Sequence, residues 1–153
     1  MIIRDYDKKD LESIVKLEER AFEVGPYTIH MLREILHDPK SYSLVAVEDN
    51  SIAGYITILP IDKFHADIES IAVDPDFGGR GIGKALMTRG ENWMKMNHFR
   101  FSVLEVRDKN DVAIGMYLKL GYSIKEKLYS YYELEYRGSR DGYRMEKDLL
   151  LQQ

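Results

Sequence analysis

Apolar positions change their period several times along the 153 residues, and each change marks an element. Met1 to Asp5 reads as a short first strand. Leu11, Ile14, Val15, Ala21 and Phe22 then recur near helical spacing. Asp7 caps that helix, with Asp10 three residues on in a capping-box arrangement. Gly25-Pro26 breaks it, and Thr28 starts a second helix with Met31, Leu32, Ile35 and Leu36 on its apolar face, ended by Asp38-Pro39. Tyr42 to Glu48 and Ile52 to Leu59 predict an antiparallel hairpin turning at Asp49-Asn50-Ser51. A third run, Asp67 to Val73, stops at Asp74-Pro75. The glycine-rich stretch from Gly78 to Gly83 opens a long helix to about His98, with Ile82, Ala85, Leu86, Trp93 and Met94 buried. Phe101 to Val106 is a strand, Asp111 to Leu120 a helix stopped by Gly121, and two tyrosine-rich strands, about 123–135 and 142–149, follow. There is no repeat, linker or low-complexity tract. This order predicts one α+β domain over residues 1–153, with a mixed central sheet flanked by helices.

Composition narrows the chemistry. The chain has no cysteine, so disulfides, Cys-containing zinc sites and thiol nucleophiles are excluded. The net charge of −4 speaks against nucleic-acid binding, which needs clustered cations. No apolar run approaches a membrane span and the N-terminus lacks signal-peptide features, so a soluble cytoplasmic protein is expected. The excess negative charge falls in residues 1–50, with 7 basic and 11 acidic side chains. It is either a set of solvated helix faces or a field drawing in a cationic substrate. His30, His37, His65 and His98 lack metal-ligand spacing and read as structural or surface groups, so no metal is expected.

The most informative segment is Val73-Asp74-Pro75 followed by Gly79-Arg80-Gly81-Ile82-Gly83-Lys84. A strand ends, a loop without bulky side chains follows, and a helix begins. The free N–H groups and dipole of a helix start bind anions, and glycines let a phosphate approach closely. The dinucleotide fingerprint fails because Lys84 stands where its third glycine belongs. A P-loop fails at Ala85, which has no hydroxyl for a metal ion, and the preceding order of elements is also wrong for it.

Val73, Pro75, Gly81, Gly83 and Leu86 reproduce the Val-x-Pro and Gly-x-Gly-x-x-Leu acetyl-CoA signature, and the chain resembles the GNAT N-acetyltransferases throughout. Asn110, Ala113, Tyr117, Gly121 and Tyr122 match that family's second signature. Gly78 stands where the family usually has Gln or Arg, which leaves the pyrophosphate to backbone donors. Leu104-Glu105-Val106-Arg107, Pro26-Tyr27-Thr28 and the Tyr131-Tyr132 pair are similar to the RimI-like enzymes that acetylate protein α-amines. Glu133 to Arg140 is longer and more charged than usual for that group.

The resemblance implies a GNAT fold and acetyl-CoA as co-substrate, held by Ile71, Ala72, Val73, the loop from Gly79 to Lys84, Asn110 and Tyr117. Glu105 would be the base, directly or through water, with Asp67 and Glu69 as rivals, and Tyr117 would protonate the departing thiolate. Tyr27, Glu69, Tyr131 and Tyr132 would line a groove for a protein N-terminus or peptide. A monomer or homodimer is expected. The alternatives are a small-amine or lysine acetyltransferase and a non-catalytic acetyl-CoA-binding module. Without a cysteinyl acetyl-enzyme, the simplest path is direct attack by the amine in a ternary complex.

Overall fold

The apolar runs without helical spacing become strands of one sheet. The computed structural model describes residues 1–151. Among them are strands β1 (Ile2–Asp5), β2 (Tyr42–Glu48), β3 (Ser51–Pro60), β4 (His65–Val73), β5 (Phe101–Arg107), β6 (Ser123–Leu128) and β7 (Gly142–Asp148). They form a seven-stranded sheet in the order β1-β2-β3-β4-β5-β7-β6, antiparallel except for the parallel pair β4–β5. Four α-helices flank it: α1 (Leu11–Ala21), α2 (Ile29–Leu36), α3 (Ile82–Met96) and α4 (Asp111–Lys119). None is long and apolar enough to cross a membrane, among the described residues.

The sheet is apolar on both faces because helices cover both. Ile14 and Leu17 of α1 and Leu32 and Leu36 of α2 pack on Val45, Tyr55 and Ala72. Ile82, Leu86, Met87 and Met94 of α3 and Tyr117 of α4 pack on Leu44, Ile56, Ile58, Leu104 and Val106. Asp7 does make the capping box with Asp10, but first around a 3₁₀ turn, Lys8–Asp10, from which α1 continues.

Three expectations shift. The strand expected over about 123–135 ends at Leu128, and residues 129–141 form an irregular excursion containing the bridge Tyr136–Ser139. Met31 is exposed rather than buried. On α3, Met87, Gly90 and Glu91 are buried, while Ala85 and Trp93 are only half-buried.

One irregularity positions the site. The β4–β5 ladder runs only from His65↔Phe101 to Ile68↔Leu104. Beyond it β4 stays paired with β3 as far as Val73, and β5 stays paired with β7 as far as Arg107. The two central strands therefore part, and the edge of β4 from Glu69 to Val73 has no strand partner on that side.

Candidate active site

The connection from β4 to α3 enters the mouth of this split. A 3₁₀ turn, Pro75–Phe77, follows β4, capped by the Asp74 side chain accepting from the Asp76 N–H. Arg20 of α1 pins the turn, donating to Asp74 at 3.0 Å and to Asp76 at 2.7 Å. Gly79 and Gly81 have φ of +76° and +77°, a left-handed conformation that side-chain-bearing residues rarely adopt, and nothing lies within 4 Å of where their Cβ atoms would be. Gly81 is the N-cap of α3, and with no side chain it makes no capping bond. The first helical bond runs from the Ala85 N–H to the Gly81 carbonyl, so the N–H groups of Ile82, Gly83 and Lys84 face outward at the positive end of the helix dipole. Arg80, its guanidinium 5.0 Å from the Phe77 ring centre, and Lys84 are exposed beside them. This arrangement fits a pyrophosphate, and the open edge of Ile71, Ala72 and Val73 fits an extended amide-bearing arm.

The second half converges on the same place. A methyl group on Gly83 would stand 3.6 Å from both Val73 Cγ2 of β4 and Met116 Sδ of α4, so three elements meet at the start of α3. The side chain of Asn110 caps α4, accepting from the Ala113 N–H at 3.2 Å. Tyr117 follows on α4, only 7% exposed, its ring edge-on to Tyr122. Burial pushes its phenol up to about 12, so it is a neutral proton donor across the physiological range.

A cleft of about 660 Å³ opens across the sheet where the strands part, lined among others by Asp67, Glu69, Val103, Glu105, Tyr131 and Arg144. Cross-strand register sets its floor. Asp67 faces Val103, which faces Glu146, and Glu105 faces Arg144, which faces Glu126. Arg144 holds Glu105 through an Nε–Oε2 contact of 3.3 Å. Asp67 is 7% exposed. Burial, then the charge of Glu105 and a hydrogen bond to it, then Glu69, push its carboxyl up to about 9.

That shift has a sign for stability. Asp67 keeps its proton in the folded state at pH values where an unfolded aspartate, near 3.8, has lost it. Stability is therefore fully present below about pH 4 and falls as pH rises toward 9. Asp67→Asn is expected to melt roughly 3–10 °C above the parent at pH 8, with the gap closing at pH 4, as read by thermal scans in matched buffers.

The walls are aromatic. The Tyr27 hydroxyl donates to the Glu69 carbonyl at 3.3 Å, and its backbone N–H donates to Glu18 at 2.8 Å. Glu18 is 1% exposed and also accepts from the Tyr55 hydroxyl at 2.7 Å. Burial raises its carboxyl above the usual range. Tyr131 is 48% exposed and lines the cleft, its ring edge-on to Tyr132. Tyr132 turns inward beneath the Arg107 guanidinium, 4.1 Å from the ring centre, and against Gly142, where any Cβ would come within 2.8 Å of the ring.

The structure thus gathers Glu69, Glu105 and Tyr131 around one cleft, with Tyr27 tied to the Glu69 carbonyl beside it and Tyr132 against Tyr131. It sets Ile71 to Val73, the glycine loop and Tyr117 at the adjoining split. Glu18, Arg144, Glu146 and His65 were missed as site or supporting residues. Glu18 carried a signal, four residues after Ile14 on the apolar face of α1. His65 lines the cleft between Asp62, at 2.8 Å, and Glu146, at 3.5 Å. Its role, like that of Arg144 and Glu146, depends on β4–β5 and β5–β7 register.

Comparison with known proteins gives the same outline. Residues 11–122 match the acetyltransferase (GNAT) family model. An uncharacterized N-acetyltransferase of Methanocaldococcus jannaschii is 34% identical, covering 87% of this chain and 85% of that one. A Bacillus subtilis chain assigned as a ribosomal protein bS18-alanine N-acetyltransferase is 31% identical, covering 78% of each. The crystal structure of the ribosomal-protein-S18-alanine N-acetyltransferase from Escherichia coli superposes with a TM-score of 0.88 at 22% identity, covering 99% of this chain and 96% of that one.

Proposed function

The chain belongs to the acetyltransferase (GNAT) family and is an acetyl-CoA-dependent N-acetyltransferase, and from that premise we propose that its acceptor is the N-terminal α-amino group of a polypeptide. The observation that carries the reading is the cleft beside the β4–β5 split, lined by Asp67, Glu69 and Glu105 and by Tyr131. Its carboxylates suit an ammonium, and Tyr131 offers an aromatic face to the chain that follows the reacting amine. The similarity to a bS18-alanine N-acetyltransferase supports the same acceptor.

In this reading the N–H groups of α3 and its preceding glycines hold the pyrophosphate, and the free edge of Ile71 to Val73 receives the pantetheine amides. The thioester then lies in the split, between the cleft floor and Tyr117. An α-ammonium has a pKa of roughly 7.7–8.0, so a carboxylate can relieve it of a proton at neutral pH without extreme tuning. Glu105, oriented by Arg144, takes that proton directly or through water. The amine attacks the thioester carbonyl, and a main-chain N–H of β4, that of Val73, faces the oxygen as it gains charge. The carbon–sulfur bond breaks as the Tyr117 hydroxyl gives its proton to the leaving thiolate, and the surplus proton left on nitrogen passes through solvent to restore the phenol. Tyr27, fixed at both ends by Glu18 and the Glu69 carbonyl, and Tyr131 hold the first peptide units.

A kinetic comparison tests the acceptor. With acetyl-CoA saturating, a lysine-free peptide with a free N-terminus is expected to give kcat/KM at least about tenfold above spermidine, a difference near 1.4 kcal/mol in transition-state binding. A higher value for spermidine would make this a small-amine acetyltransferase.

A further inference from the structure

Five carboxylates, those of Asp62, Asp67, Glu69, Glu105 and Glu146, line the cleft with one guanidinium, that of Arg144. Arg144 is divided between Glu105 and Glu126, the latter at 2.9 Å, and among the described residues neither Asp67 nor Glu69 joins an ion pair. The other basic groups on the cleft are Lys125 of β6 and His65, and His65 is already engaged by Asp62 and Glu146. The Oδ1 of Asp67 is buried and has no hydrogen-bond partner. Buried polar atoms are rarely left so, and this one belongs to a residue that lines the cleft.

We propose that Asp67 is a binding residue for the acceptor, and that the ammonium of the incoming amine is the partner its Oδ1 lacks, shared with Glu105 on the neighbouring strand. The inference rests on the α-amine reading above. A primary ammonium has three N–H donors and can bridge carboxylates on adjacent strands. Before it arrives, burial and the facing Glu105 and Glu69 keep Asp67 protonated, and Tyr27 and Tyr131, also near it, bring no positive charge. Docking therefore exchanges one cation for another. The Asp67 carboxylic acid and the substrate ammonium become a carboxylate–ammonium pair, and one proton leaves for solvent. Glu105, on the neighbouring strand, remains available to take the proton that nitrogen loses before it attacks.

The exchange is measured by calorimetric titration of a lysine-free peptide into the CoA-loaded enzyme at pH 7, in buffers of different ionisation enthalpy. The dependence of observed heat on buffer enthalpy gives the number of protons released. About one proton is expected for the parent and about none for Asp67→Asn, whose amide has no proton to give up. A count near zero in the parent overturns the inference, and needs no variant. Equal counts in the parent and Asp67→Asn also overturn it, by assigning the proton to another group. A peptide that shows no binding while spermidine binds removes the α-amine reading itself, and this inference with it.

Discussion

Replacing Glu105 with glutamine is expected to lower kcat/KM for the peptide by about 10²–10⁴-fold at pH 7, the range over which a positioned general base contributes. The substitution keeps shape and removes only the charge and basicity. Arg144 loses half of its carboxylate pairing but retains Glu126 on the edge strand, so the fold is expected to survive. The deficit should shrink as pH rises past roughly 8, because the α-amine then arrives already free of its proton. That pH dependence separates a base from a residue that merely shapes the cleft. Identical pH–rate profiles for parent and variant would transfer the role to Asp67, Glu69 or solvent.

Tyr117→Phe is the second large effect. Its hydroxyl is the only atom lost, and the edge-on packing against Tyr122 is kept. A positioned general acid contributes about 10²–10⁴-fold, so kcat should fall by roughly 100-fold or more with KM for acetyl-CoA little changed. A phenol near 12 is a reluctant donor in water. It serves because thiolate formation and proton transfer occur together in a buried setting, where an unsolvated thiolate is itself more basic. An unchanged kcat with saturating substrates would remove Tyr117 from the chemistry and leave it a core aromatic.

How much of this could be read in advance depended on the range of each signal. Local signals held well. The capping box at Asp7 and Asp10, the N-cap at Thr28, the turn at Asp49-Asn50 and the helix start after Gly81 all lie where short-range pattern places them. The half of the site proposed to face phosphate is local too, since one loop and one helix terminus build it. The acceptor half depends on register between strands far apart in sequence. Arg144 reaches Glu105 from 39 residues away, and Asp67 owes its raised carboxyl first to burial and then to Glu105, which the β4–β5 pairing brings beside it. Alternation along β4 put Asp67 and Glu69 on one face but could not tell that Glu105 would join them. The strand expected over about 123–135 runs too far because its tyrosines favour sheets, whereas residues 129–141 form the excursion. It leaves the sheet where Ser130 and Arg137 adopt positive φ, a choice fixed by contacts to Asp141, Arg140 and Arg107 rather than by propensity.

The claim that the cleft delivers a chain terminus to the split has a direct test in one molecule. A synthetic peptide carrying both a free α-amine and an internal lysine would be incubated with the enzyme and acetyl-CoA at pH 7.5, and the position of the acetyl group read by fragment-ion mass spectrometry. The account predicts acetyl on the first residue, with the lysine unmodified while α-amine remains. Acetyl on the lysine side chain at early times would contradict it.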